Sequence, residues 1–140
     1  MIINGLNAET SFGLVLADGA YNVLWTPPRA KPGYEYNWPD QNGIETDPDQ
    51  PQVFERIEYS LPLILTATDE SDYWDKFHAF CQFVFSNRNI ILDIPERNRR
   101  FKLVNMGISN YDEAVDGYRP NALLRWELAN DNPTEFLKVV

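Results

Sequence analysis

From Ile57 to Leu65 hydrophobic and polar residues alternate, with Ile57, Tyr59, Leu61, Leu63 and Leu65 in one set and Arg56, Glu58 and Ser60 between them. A period of two predicts a strand with one buried face. Pro62 falls in the outward set, and because proline donates nothing to a ladder it predicts an edge position or a bulge near the strand's end. Thr68, Asp69 and Ser71 follow as N-cap candidates, and Asp69, Glu70 and Asp72 suit the positive end of a helix dipole. The pattern then changes to spacings of three and four. Tyr73, Trp74, Phe77, Phe80, Cys81, Val84 and Phe85 form one apolar stripe, with Asp75, Lys76 and Gln82 opposite. This predicts an amphipathic core helix with an aromatic face. Burying a large side chain is worth roughly 1.5 to 3 kcal/mol, which makes the stripe the expected largest single contributor to the core.

The run Ser86 to Asn89 ends that helix with turn-forming types. Ile90 to Ile94 predicts a short strand stopped by Pro95, and Phe101 to Ile108 its hairpin partner across the polar turn Glu96 to Arg100. The stretch Val53 to Met106 is thus the unit onto which the rest should pack. Upstream, Met1 to Ile3 predicts a terminal strand, and Ser11 to Leu16 with Tyr21 to Trp25 a hairpin across Ala17 to Ala20. Downstream, Asn110 to Pro120 reads as a solvated polar connection. Ala122, Leu124, Trp126 and Leu128 alternate with Leu123, Arg125, Glu127 and Ala129 as a closing strand, although these residue types also suit a helix. The tail from Asp131 to Val140 is left to pack on a partner or to fray.

Between Thr26 and Gln52 six prolines, interspersed with glycine, asparagine and aspartate, forbid regular helix and most sheet pairing. A loop this long is uncommon within a compact domain. It carries Tyr34, Tyr36, Trp38 and Ile44, apolar groups that disordered linkers lack. The expectation is an extended arm that docks either on its own domain or on a neighbouring subunit.

The 140 residues suit a single domain, and with 14% aromatics and more alternating than helical segments the expected class is α+β, mostly β. The expected architecture is an antiparallel β-sandwich or barrel with one amphipathic helix packed on it. No apolar run approaches a membrane span, and Met1 to Asn4 has neither the basic residues nor the apolar core of a signal peptide, so the chain is expected in the cytosol when made. Cys81 is the single cysteine, which excludes an internal disulfide and a cysteine-based metal cluster. Twenty-one acidic residues against 12 basic give a formal charge of -9, the wrong sign for gripping nucleic acid through its phosphates. Arg97, Arg99 and Arg100 form a basic cluster, read as a solvated turn or as a contact with an acidic neighbour.

Candidate chemistry is thin. His78 and Cys81 have the spacing of a base and a nucleophile on one helix, but the cysteine belongs to the aromatic stripe and no orienting partner is identifiable. Asp40, Glu45, Asp47 and Asp49 offer oxygen ligands for calcium without the glycine and closing glutamate of a calcium loop. Glu35 with Asp40, and Asp93 with Glu96, are carboxylate pairs of a kind that any acidic protein supplies. Tyr34, Tyr36 and Trp38 offer a sugar-binding platform, but their alternation more simply suggests an extended segment laying one face on a surface. No phosphate-binding glycine pattern occurs. Gly5, Gly13, Gly19 and Gly117 read as turn or bulge positions, and no cofactor is expected.

The order of elements is the informative feature: an amino-terminal hairpin, a proline-containing arm with the turn Pro39 to Ile44, the strand opening Phe54-Glu55-Arg56-Ile57-Glu58-Tyr59, the helix Asp72 to Phe85, and a hairpin bearing Arg99, Arg100 and Phe101. From about Phe12 to Leu128 this resembles the amino-terminal domain of phage distal tail proteins. The resemblance implies a tail-tube-like β-sandwich or barrel with one helix. It also implies a non-enzymatic virion component, assembled in the bacterial cytoplasm, that forms a hexameric ring with other tail proteins between the tail tube and the baseplate. Many family members continue into a second, carbohydrate-module-like domain, whereas this sequence stops at Val140, which leaves the ring-forming role as the expectation. An acidic bore in such a ring would repel the DNA backbone and let it slide.

Overall fold

The computed structural model describes residues 1–33, 35–46, 49–116 and 119–139, with 36, 46, 114–116, 119 and 120 described by backbone alone. In chain order its elements are β1 (Ile2–Ile3), β2 (Leu6–Asn7), α1 (Ala8–Phe12), β3 (Leu14–Leu16), α2 (Ala20–Leu24), β4 (Glu35–Tyr36), β5 (Glu45–Thr46), β6 (Ile57–Thr66), α3 (Glu70–Ser86), β7 (Asn89–Ile94), β8 (Arg99–Asp116) and β9 (Arg119–Asn130). Seven of the strands form one antiparallel sheet in the order β2-β1-β7-β8-β9-β6-β3, curled into a half-barrel. The protein is therefore α+β and mostly β. It has one curled sheet instead of two packed ones or a closed ring of strands, and two short helices accompany α3.

The period-two reading of β6 fixes the core. Tyr59, Leu61, Leu63 and Leu65 lie opposite Leu128, Trp126, Leu124 and Ala122 of β9, and all eight side chains are buried. Pro62 is not at an outer edge, since β6 lies between β9 and β3. Its carbonyl accepts from Ala17 N at 3.1 Å, so its backbone polar side faces β3 just where that strand ends. The missing N–H thus costs no bond to β9. Asp69 caps α3 as expected, its side chain accepting from Asp72 N.

Two segments differ from expectation. Residues 11–25 do not make a hairpin. Asn7 Oδ1 accepts from the backbone N–H groups of Glu9 and Thr10 and so starts α1, and Gly13, at φ +66, ends it in the left-handed conformation. The Gly13 carbonyl then accepts Thr66 N at 2.8 Å, which docks α1 and β3 against β6. A Cβ at Gly13 would stand 2.4 Å from the Thr66 carbonyl oxygen, so the residue is fixed by space as well as by φ. Tyr21 to Leu24 are helical and lie in α2, which buries Ala20 and Leu24.

Asn110 to Pro120 is the second difference. It is not a loop up to Asp116, because β8 and β9 pair from Val104↔Ala129 out to Asp116↔Arg119, with register shifts at Asn105/Gly107 and Ile108/Asn110. Only Asn121 and the residues after it pair with β6, so the outer part of this hairpin is a two-stranded ribbon that runs past the sheet.

The tail turns back on its own domain: Arg100 N donates to Leu137 O at 3.1 Å and Val139 N to Asn98 Oδ1 at 3.1 Å. The arm leaves and rejoins the sheet through a short stem in which Lys31 N donates to Val53 O and Glu55 N to Arg29 O. Beyond the stem, β4 and β5 form a separate two-stranded ladder with Glu35 opposite Thr46 and Tyr36 opposite Glu45.

Candidate functional site

Two exposed surfaces and one cluster of arginines contain the residues with functional potential. The first surface is the arm. Trp38 and Ile44 are 48% and 57% exposed, and Val53 and Phe54 at its base are exposed as well. Trp38 Nε1 donates to Glu45 Oε2 at 3.0 Å, which braces the indole against β5. Of the other expected contact residues, Tyr36 contributes backbone to β4, while its side chain and all of Tyr34 lie outside the described residues.

The second surface is built by α3. The aromatic stripe does not go into the core as one. Tyr73, Phe80 and Val84 are buried, with the Phe80 ring edge-on to Trp126 at 5.3 Å, whereas Trp74 is 38% exposed and Phe85 77% exposed. Phe77 and Cys81 lie between these extremes. A stripe this wide exceeds what one side of a half-barrel can cover, so its outer margin stays in water. Phe77, Cys81 and Phe85 instead form one wall of a groove of about 470 Å³, whose other wall is Asn105, Gly107, Ile108 and Tyr111 of β8.

Asn105 holds this groove open and in register. Its Nδ2 donates to the carbonyls of Val84 and Asn87 at 2.6 and 2.8 Å, while its Oδ1 accepts from Trp126 Nε1 and Gly107 N, both at 2.9 Å. One side chain thus ties the end of α3 to the buried indole and shapes the β8 bulge. At the far end of the groove the hydroxyls of Tyr73 and Tyr111 are hydrogen-bonded, and Phe77 packs edge-on against Tyr111 at 5.3 Å. Burial first, and the Tyr111 hydroxyl second, push the Tyr73 phenol far above its ordinary range, so it stays protonated. Sequence patterning missed Asn105 and Tyr111. An asparagine beside a glycine in a predicted strand, Asn105-Met106-Gly107, was the available signal for a bulge.

The arginines are used within the fold. Arg97 lies over the Tyr21 and Trp25 rings at 4.3 and 5.1 Å, and Arg99 over Phe136 and Phe101 at 4.5 and 5.3 Å. Arg100 grips Asp93 with two bonds of 2.8 and 3.0 Å. The turn is exposed, as a solvated turn would be, and within the chain its arginines also clamp it to α2 and the tail.

Among the described residues the candidate chemical groups are engaged elsewhere. Cys81 is a free cysteine whose thiol is pushed up by burial, away from the thiolate a nucleophile needs. His78 contacts the Trp74 and Phe77 rings. Asp93 is taken by Arg100, and Glu96 accepts from the Tyr21 hydroxyl at 2.5 Å, so that pair does not face a common cavity as acid and base. Of the calcium candidates, Asp47 lies outside the described residues and Glu45 is engaged with Trp38. Among the described residues no three metal-binding side chains come together, and no helix is long and apolar enough to cross a membrane.

Fold and surfaces together define an α+β half-barrel with an apolar arm and an apolar helix–strand groove. Compared with known proteins, the chain matches no family model, no curated protein and no solved structure.

Proposed function

We propose that this protein is a non-enzymatic structural subunit of a phage or prophage tail, self-associating through its arm into a ring, a hexamer on the resemblance, at the junction of tail tube and baseplate. The observation that carries the reading is the arm. Its stem closes by backbone hydrogen bonds, the seven-stranded sheet is complete without it, and yet it leaves Trp38 about half exposed and Ile44 57% exposed. Exposed apolar groups on a braced projection are what a head-to-tail contact between copies requires. The order of arm, β6, α3 and the β7–β8 hairpin supports the tail assignment, being the order on which the family resemblance rests. The net charge of -9 fits a ring that DNA passes without sticking.

Light scattering on size-fractionated protein over a wide concentration range tests this, with negative-stain imaging for rings. The expected result is association that the double variant Trp38→Ser/Ile44→Ser weakens by about tenfold or more while the fold is kept. A strictly monomeric wild-type chain at high concentration, alone and with tail partners, counts against the reading.

A further inference from the structure

We infer that the groove between α3 and β8 is a docking site for an extended segment of another protein, one that alternates apolar side chains and carries lysine or arginine at one end. Three observations define this occupant. The first is a vacant strand position. β7 begins at Asn89, opposite Val104, because the chain enters it from α3, and Asn105 N still finds a partner in Arg88 O at 2.7 Å. From Met106 to Asp116 no described strand pairs with that side of β8, whose other side pairs with β9 apart from the register shifts at Met106 and Ser109. An unpaired strand edge is a template for an added strand.

The second is the lining. Phe77, Cys81, Phe85, Ile108 and Tyr111 give the groove an apolar floor and wall, and its volume of about 470 Å³ has room for side chains from alternate positions of one strand. Phe85, at 77% exposed, is a lip that gains cover only when something lies beside it. The third is charge. No charged side chain of either sign lines the groove itself, and beyond Tyr111 the strand carries Glu113, near enough to the Tyr73 phenol for its charge to act there. This favours a cationic end on the incoming segment and disfavours another copy of an acidic chain.

The proposal stands on this face alone and does not need the arm: a monomeric chain would sink the ring reading and leave this one intact. The test is selection of binders from a displayed library of random linear peptides of strand length, followed by affinity measurements with the synthetic peptides. Enriched peptides are expected to alternate apolar residues, to end in lysine or arginine, and to slow alkylation of Cys81. They are expected to lose about tenfold or more in affinity on both Phe85→Asp and Glu113→Lys, with the circular dichroism spectrum unchanged. Failure to enrich any peptide overturns the proposal, as does equal binding to both variants or a consensus that is acidic or has proline at its centre. Displacement of the peptide by a second copy of this chain would make that copy the occupant and overturn it as well.

Discussion

Asn105 Oδ1 accepts the indole N–H of Trp126 at 2.9 Å, and through this bond the largest fully buried side chain of β9 is tied to the residue that also holds the last turn of α3. Truncation to alanine leaves that buried N–H without a partner, which costs about 1 to 3 kcal/mol, and releases two helix-end carbonyls besides. Asn105→Ala is therefore expected to lose about 2 to 4 kcal/mol in urea denaturation. Asn105→Asp keeps the acceptor for Trp126 but sets a carboxylate against the carbonyls of Val84 and Asn87, so it should be less stable at neutral pH than the alanine variant. An unchanged midpoint in both would show that Asn105 is not the tie described.

The split of the α3 stripe predicts opposite outcomes for two phenylalanines on one helix. Phe80 is fully buried against Phe12 and Trp126, and Phe80→Ala is expected to cost about 3 to 5 kcal/mol. Phe85, being mostly in water, should cost within about 0.5 kcal/mol on the same substitution. Equal costs would mean that the stripe packs as a single face after all.

Acid should weaken the fold through three carboxylates. Glu96 is held low by the Tyr21 hydroxyl, Asp72 by the Thr68 backbone N–H and then Lys76, and Asp131 by Arg56. Each has a folded value below its ordinary one, so its contribution is present above that ordinary value and is lost as pH falls through the folded value. With ordinary values of 4.5 for Glu96 and 3.8 for the aspartates, chemical-denaturation stability is expected to be level from neutral pH to about 5 and to decline below 4.5. The triple variant Asp72→Asn/Glu96→Gln/Asp131→Asn should show a shallower decline. A loss of stability confined to alkaline pH would contradict the assignment.

Cys81 is half-buried with its thiol pushed up, so at pH 8 it should react with iodoacetamide more slowly than a free thiol, and at the free-thiol rate in denaturant. Fast alkylation of the folded chain would revive the nucleophile reading set aside above.

What could be read in advance depended on whether a residue's neighbours were local. β6 was legible because one face of it is buried along its length, and Asp69 because a cap is decided within four residues. The hairpin expected over residues 11–25 was wrong because Asn7 and Gly13 bracket a helix of only five residues, too short for any apolar period. The α3 stripe was misjudged at Trp74 and Phe85 for another reason: how much of a helix a sheet covers is set by the curl of strands distant in sequence. Likewise the groove depends on where β7 starts relative to β8, a register that no local pattern encodes.

β9 is hydrogen-bonded to β6 along one flank and to β8 along the other, so it is the keel of the sheet, and it follows β6 by more than fifty residues. During synthesis on the ribosome, Leu61, Leu63 and Leu65 emerge well before the strand that will cover them. Their greasy ladder edge stays open until residues 119–130 clear the exit tunnel.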